Sequence, residues 1–327
     1  LEEAMAATPA ASREEPVVVY LFWFGTFCIA SVGMTIVNKL VMQELTVPYM
    51  LLGFQQLIAI AIYGVMHRSV GWKDPKSMWH IKPFTAQQVQ RLLVVGVNFT
   101  FILASSLYAL PMVTVATVVV FRNLCTVPIA ALEYLLLGAK FSRGAWLALV
   151  ATFVGSVIYA SSDISFHRQG YLWQAANSAF FCFGQLYEKW NMSRTTDQTA
   201  TGVATIKAAL SLPVVCVMVP LFGEVEAWQA MPPLSQGTVA LAWMSGAGAI
   251  GLGIIYMTLY QIASATATTV AGNFNKVVSI VVGAVVFGSA LSSSQVLGLA
   301  VCMGGSLWWS LESLWARSRA AKAAKKQ

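Results

Sequence analysis

Ten runs of predominantly apolar residues, at 17–38, 48–68, 89–109, 111–137, 143–161, 170–190, 200–221, 238–261, 265–288 and 293–315, follow one another with only short connections. A run of about 20 such residues spans the hydrocarbon core of a bilayer, where the backbone must satisfy its own hydrogen bonds and therefore coils into helix. Lipid is thus the solvent of this chain. Composition agrees, with 57% hydrophobic and only 10% charged residues, against about one-quarter charged in soluble domains. Trp23, Trp72, Trp146, Trp173, Trp243 and Trp308 sit toward the ends of the runs, where a side chain half apolar and half polar anchors an interface.

An all-α integral membrane protein of ten transmembrane helices is expected, with no soluble domain. Residues 1–16, carrying Glu2, Glu3, Arg13, Glu14, Glu15 and Pro16, read as a disordered cytosolic tail, and 316–327 as a basic cytosolic tail. Little chain is left outside the membrane for catalysis. The five cysteines lie inside apolar runs and read as small packing residues, and His67, His80 and His167 show no metal-ligand spacing. Neither an enzyme nor a metal or cofactor is expected.

Basic residues accumulate on the cytosolic side of membrane proteins. Here they fall in the connections after the second run (Arg68, Lys73, Lys76, Lys82, Arg91), the fourth (Lys140, Arg143) and the sixth (Lys189, Arg194), and in the C-terminal tail. The opposite connections hold Lys39 with Glu44, Arg168, or the acids Glu224 and Glu226. Both termini are expected in the cytosol. The net charge of +7 then reflects orientation and contact with anionic membrane lipid, and no nucleic-acid partner is implied.

Shifting the chain by 150 residues lays the fourth and fifth runs on the ninth and tenth. Asn123 falls on Asn273, Gly138 on Gly288, Ser142 on Ser292, and Gly155-Ser156 on Gly305-Ser306. Five helices per copy is an odd number, so the second copy enters the membrane inverted, which predicts halves at 17–161 and 170–315 with a cavity near mid-bilayer. Arg122 and Lys276 flank the two asparagines. A cation at that depth disfavours insertion by about 2.5–3.5 kcal/mol, so it normally serves a function. Lys207 is a third candidate. Glu133 lies about 16 Å along the helix axis from Arg122, too far for a direct pair.

Such a cavity suits an anion. Arg offers a planar bidentate fork to phosphate and Lys a compact charge. Asn123, Asn273 and Asn275 add amides that can read hydroxyls or a base edge, and Gly272 lets a ligand approach the backbone.

The stretches "FRNL" (Phe121–Leu124) and "GNFNK" (Gly272–Lys276) resemble the FKNL and GALNK signatures of Golgi GDP-mannose transporters, within the nucleotide-sugar and triose-phosphate branch of the drug/metabolite transporter superfamily. "MTIVNK" (Met34–Lys39), Glu133 and "GYLWQAAN" (Gly170–Asn177) extend the likeness over nearly the whole chain. The resemblance implies an inverted five-plus-five repeat that exchanges cytosolic nucleotide sugar for lumenal nucleoside monophosphate by alternating access, in the Golgi membrane, with a homodimer as the candidate assembly. The substrate-binding residues it implies are Arg122, Asn123, Gly272, Asn275 and Lys276, with Asn38 and Lys39 of MTIVNK; Asn273 and Lys207, which depart from the family pattern, join them as candidates on their own chemistry. Arg122 stands where the first signature has Lys. Two departures bear on specificity: Asn273-Phe274 replaces Ala-Leu, and Thr205-Ile206-Lys207-Ala208 replaces the FYNN motif that reads guanine. A GDP-sugar is the first expectation, with a UDP-sugar or a small sugar phosphate as alternatives.

Overall fold

The computed structural model describes residues 17–75, 77–137, 141–163, 165–192, 199–262, 265–288 and 291–324. The tail 1–16, Lys76, Lys140, Arg194 and 325–327 lie outside the described residues, as do the side chains of Glu133 and Asn273. The described residues form helices α1 (Val17–Glu44), α2 (Pro48–Met66), α3 (Ala86–Ala109), α4 (Val115–Leu124), α5 (Thr126–Leu137), α6 (Arg143–Ser161), α7 (Arg168–Met192), α8 (Ala200–Leu221), α9 (Glu224–Ala230), α10 (Gln236–Ile262), α11 (Ala265–Phe287) and α12 (Ser293–Ala324). A short π-turn, His67–Gly71, extends α2. Every expected run lies mostly in helix, and six segments among the described residues are long and apolar enough to cross a membrane: Leu21–Glu44, Pro48–Gly71, Ala86–Ala109, Val115–Leu132, Arg143–Ser161 and Thr201–Leu221.

Helix starts are set by hydroxyl caps, which satisfy amide groups that have no partner within the helix. Thr85 and Gln88 form a reciprocal capping box on α3, Ser292 and Gln295 form another ahead of α12, and Thr114, Ser142 and Thr199 cap α4, α6 and α8. Helix α2 has no side-chain cap of its own, and Pro48 occupies its first turn. Glu224 supplies the missing acceptor, taking Tyr49 N and Met50 N at 2.9 Å each and the Tyr108 hydroxyl at 2.7 Å.

Three expectations are corrected. The run at 111–137 is not one helix: α4 stops at Leu124 and α5 begins at Thr126. Pro128 accounts for the break, because it has no N–H for the Leu124 carbonyl four residues earlier and its ring crowds that carbonyl. Lys39 is not in a connection, since α1 runs on to Glu44 and leaves it 7% exposed. Glu224 is likewise no loop acid: it opens α9 and is 2% exposed.

The chain divides into two compact units. The first takes the chain up to Gly33, Val113–Tyr171 and the chain from Leu252; the second takes Met34–Met112 and Leu172–Gly251. Each draws on both sequence copies.

In the first unit α6 and α12 run antiparallel at close range, with Thr152 against Gly305, Gly155 against Cys302 and Tyr159 against Gly298. A Cβ on Gly305 would stand 2.6 Å from Thr152 N, and one on Gly298 2.5 Å from Tyr159 N. Small residues permit this approach where lipid offers no hydrophobic gain for helix association. The 150-residue shift turns the contact of Gly155 with Cys302 into that of Gly305 with Thr152. Helix α11 lies against α4, where a Cβ on Gly283 would meet Val115.

In the second unit α8 packs on α2 and α3, with Gly53 facing Val215 and Gly96 facing Leu210. Helices α3 and α7 exchange amide bonds to each other's backbone: Asn98 Nδ2 donates to Phe180 O at 3.1 Å and Asn177 Nδ2 to Ile102 O at 2.5 Å.

Candidate functional site

In the first unit α4 and α11 bring together two of the sequence-predicted residues directly. Lys276 Nζ donates to Asn123 Oδ1 at 2.5 Å. Asn123 is fully buried, and Ser306 Oγ of α12 approaches the same oxygen at 3.4 Å. One turn of α11 holds Gly272, Asn275 and Lys276. Asn275 Nδ2 donates to Ser31 Oγ of α1 at 2.8 Å. Nothing lies within 4 Å of the position a Cβ on Gly272 would take, so the backbone there borders open space.

Two polar atoms at this place have no hydrogen-bond partner: the buried Nδ2 of Asn123 and the buried Oδ1 of Asn275. Leaving a buried donor or acceptor unmet costs about 1–3 kcal/mol, and native proteins rarely do so without a reason. One spare donor and one spare acceptor beside an ammonium group make a surface that can take a polar anion.

Arg122 sits in the last turn of α4, half-buried, where the helix leaves carbonyls unsatisfied and favours a cation. Its like charge acts on Lys276. The break after Leu124 exposes carbonyl oxygen at the same level, and Thr126 Oγ1 takes one of the neighbouring ones, Asn123 O, at 2.7 Å. The ladder continues on either side, with Cys125 N on Phe121 O at 3.1 Å and Ile129 N on Cys125 O at 3.2 Å, so Pro128 frees the Leu124 carbonyl without unwinding the span. The clue in the sequence was Pro128.

The second unit holds Asn38, Lys39 and Lys207. Asn38 Oδ1 of α1 accepts Ser245 Oγ of α10 at 2.5 Å and Gln55 Nε2 of α2 at 3.3 Å, and Gln55 Nε2 also reaches Ser245 Oγ at 2.5 Å. Ser245 is fully buried, and Lys39 is buried beside this group in sequence. Lys207 is half-buried on α8. At the neighbouring position that the FYNN motif gives to an aromatic or amide, Thr205 returns its hydroxyl to its own helix, at 2.8 Å from Thr201 O.

Sequence reasoning did not find Ser31, Ser306, Gln55 or Ser245. Ser306 carried a signal, as half of the repeated Gly-Ser pair. The other three are single polar residues in apolar helices, whose partners lie far away in the chain. Among the described residues no three His, Cys, Asp or Glu side chains cluster as metal ligands would.

The sequence profile of the Triose-phosphate Transporter family matches residues 17–310. The GDP-mannose transporter GONST1 of Arabidopsis thaliana is 26% identical over 271 residues, which cover 80% of this chain and 79% of that protein. The GDP-fucose transporter 1 of Dictyostelium discoideum is 24% identical over 289 residues, covering 86% of this chain and 77% of its own length. A solved crystal structure shares the fold with a TM-score of 0.53 at 16% identity, covering 88% of this chain and 96% of that one.

Proposed function

The chain belongs to the triose-phosphate transporter family, a family of carriers and not of enzymes, and from that premise we propose that it moves a nucleotide sugar across the Golgi membrane in exchange for a nucleoside monophosphate. The observation that carries this reading is the contact of Lys276 with Asn123, bordered by an amide donor and an amide acceptor without partners. Arg122 and Lys276 bind the diphosphate. Asn123, Asn275 and Asn273 orient sugar and ribose, and Asn38, Lys39 and Lys207 complete the binding residues. The relatives carry GDP-mannose and GDP-fucose in their names, which makes a GDP-sugar the leading candidate.

The reading includes ten spanning helices in an inverted five-plus-five repeat, both termini cytosolic, and no nucleic-acid partner. The reciprocal contacts of α6 and α12 under the 150-residue shift are what an inverted duplication produces. Obligatory exchange has an electrostatic origin. Without an anion, like charges face one another in low dielectric, which opposes the occluded state that must form for the carrier to reorient.

One observation favours a second reading. Thr205 spends its hydroxyl on its own helix, and Lys207 stands where an amide would read guanine. A UDP-sugar, or a small sugar phosphate without a base, is the alternative substrate.

Uptake into proteoliposomes preloaded with GMP, UMP, CMP or inorganic phosphate, assayed with labelled GDP-mannose, UDP-sugars and triose phosphate, tests the proposal. Uptake of GDP-mannose driven by interior GMP is expected. Triose phosphate uptake driven only by interior phosphate would replace the nucleotide-sugar reading, and no exchange under any condition would end it.

A further inference from the structure

Asp163, just beyond α6, gathers donors from three other helices of the first unit. Thr117 Oγ1 of α4 lies 3.2 Å from its carboxylate, the Tyr171 hydroxyl of α7 at 2.5 Å and Gln295 Nε2 of α12 at 3.1 Å. Tyr159 of α6, fully buried, stands 3.1 Å from the hydroxyls of Thr114 and Thr117. Charge-assisted hydrogen bonds of this kind are short and directional, so the carboxylate fixes the orientation of every ring and amide that reaches it.

The Tyr171 ring leads from this cluster to the candidate site. It stands edge-on to Phe121, with centroids 5.4 Å apart and planes at 80°, and Phe166 packs on it at 4.6 Å. Edge-to-face contacts hold their geometry because the positive ring edge meets the negative ring face. Phe121 immediately precedes Arg122 and Asn123. It lies in the last turn of α4, where the missing N–H of Pro128 deprives the Leu124 carbonyl of its ladder bond. Phe121 O still accepts Cys125 N at 3.1 Å, so one ladder bond is missing beside this turn and the ring contacts of Phe121 add to what sets its direction.

We propose that Tyr171, held by Asp163, is a positioning residue for Arg122. The transport arm of its test rests on the nucleotide-sugar reading, and a second arm does not. The second arm is the rate at which phenylglyoxal modifies Arg122 in the purified full-length protein without substrate, followed by peptide mass spectrometry. The variants are Tyr171→Leu, which removes ring and hydroxyl, Tyr171→Phe, which keeps the ring against Phe121 and releases Asp163, and Asp163→Asn.

Tyr171→Leu is expected to change the Arg122 modification rate by about threefold or more and to raise the KM for GDP-mannose about tenfold, with kcat within about twofold. Tyr171→Phe and Asp163→Asn shift both in the same direction by about threefold. In the background of Arg122→Ala none of these substitutions adds a further loss, because each acts through Arg122. Should Tyr171→Leu not fold, the Phe and Asn variants decide by the same readings. A wild-type Arg122 rate in the variants, or losses that multiply with that of Arg122→Ala, overturns the assignment and leaves Asp163 as a clasp for helix ends. If the wild-type protein exchanges no nucleotide sugar while the Arg122 rate still shifts, the transport reading fails and the positioning role stands.

Discussion

Two helix pairs in the first unit make opposite uses of the same small polar residues. Between α6 and α12 the backbones approach so closely that no Cβ fits at Gly155, Gly298 or Gly305, and the polar groups are consumed locally: Thr152 Oγ1 returns to Ala148 O at 2.9 Å and Ser156 meets Cys302 Sγ at 3.3 Å. Between α4 and α11 Asn123 leaves an amide donor unmet beside the Lys276 ammonium, Asn275, which faces Ser31 of α1, leaves an acceptor unmet, and Gly272 borders open space. Within the first unit polarity is thus met at one helix pair and left open at the other; in the second unit the buried Gln174 amide of α7 is also unmet. In the first unit the contrast separates scaffold from site: unmet polarity persists where a ligand supplies the partner.

The sharpest way to break that comparison is to remove charge from the open pair. Lys276→Gln keeps length and a donor but loses the ammonium, and is expected to lower kcat/KM for nucleotide-sugar exchange by about a hundredfold or more, since it removes a charge-assisted contact to phosphate. Steady-state exchange in proteoliposomes measures it, and a loss below tenfold would remove Lys276 from the binding residues.

Next comes the closed pair. Gly305→Val forces a branched side chain onto Thr152 N, and a loss of about 3 kcal/mol or more is expected, seen as a large drop in thermal midpoint and in folded yield. The substrate affinity of protein that does fold should stay within about twofold. A well-folded variant would mean that α6 and α12 can separate cheaply and that the close packing is not the scaffold.

Asn123→Asp sharpens the comparison from the other side. It replaces the orphaned donor with a second acceptor and gives Lys276 a carboxylate, so the open pair becomes internally matched. Thermal stability should rise by about 1 kcal/mol or more while exchange falls by at least about tenfold. A variant that loses both stability and exchange would contradict the idea that the unmet amide is held in reserve for a ligand.

The smallest expected effect lies in the second unit. Glu224→Gln keeps one acceptor oxygen, enough for either Tyr49 N or Met50 N, and removes the charge from the start of α2, and about 1 kcal/mol of stability should go with it. Exchange parameters should not move by more than about twofold, because this carboxylate caps a helix and touches none of the residues assigned to the substrate.

How much of this was legible in the sequence differs by the physics involved. Helix positions were, because the length and apolarity of a span are local properties, and the cap residues Thr85, Ser142 and Ser292 stand at the starts that the structure shows. The pairing of Lys276 with the Asn123 region was readable from the repeat. The break after Leu124 was not seen because hydropathy registers Pro128 as one more apolar residue, whereas the backbone registers a missing donor. Glu224 was assigned to a connection on charge alone, and Asp163 was not singled out at all. Their partners, Tyr49 and Tyr108 for the first and Tyr171 and Gln295 for the second, come from distant parts of the chain, and a single sequence carries no sign of such pairings. The same holds for the Asn38, Gln55 and Ser245 group, where only Asn38 lay in a recognisable motif.

The most direct test is an experimental structure of the protein with GDP-mannose bound. The diphosphate should lie about 3 Å from both Lys276 Nζ and Asn123 Nδ2, giving the orphaned donor its partner. A nucleotide bound elsewhere, with Asn123 Nδ2 still unmet and Lys276 still donating to the asparagine oxygen, would contradict the account.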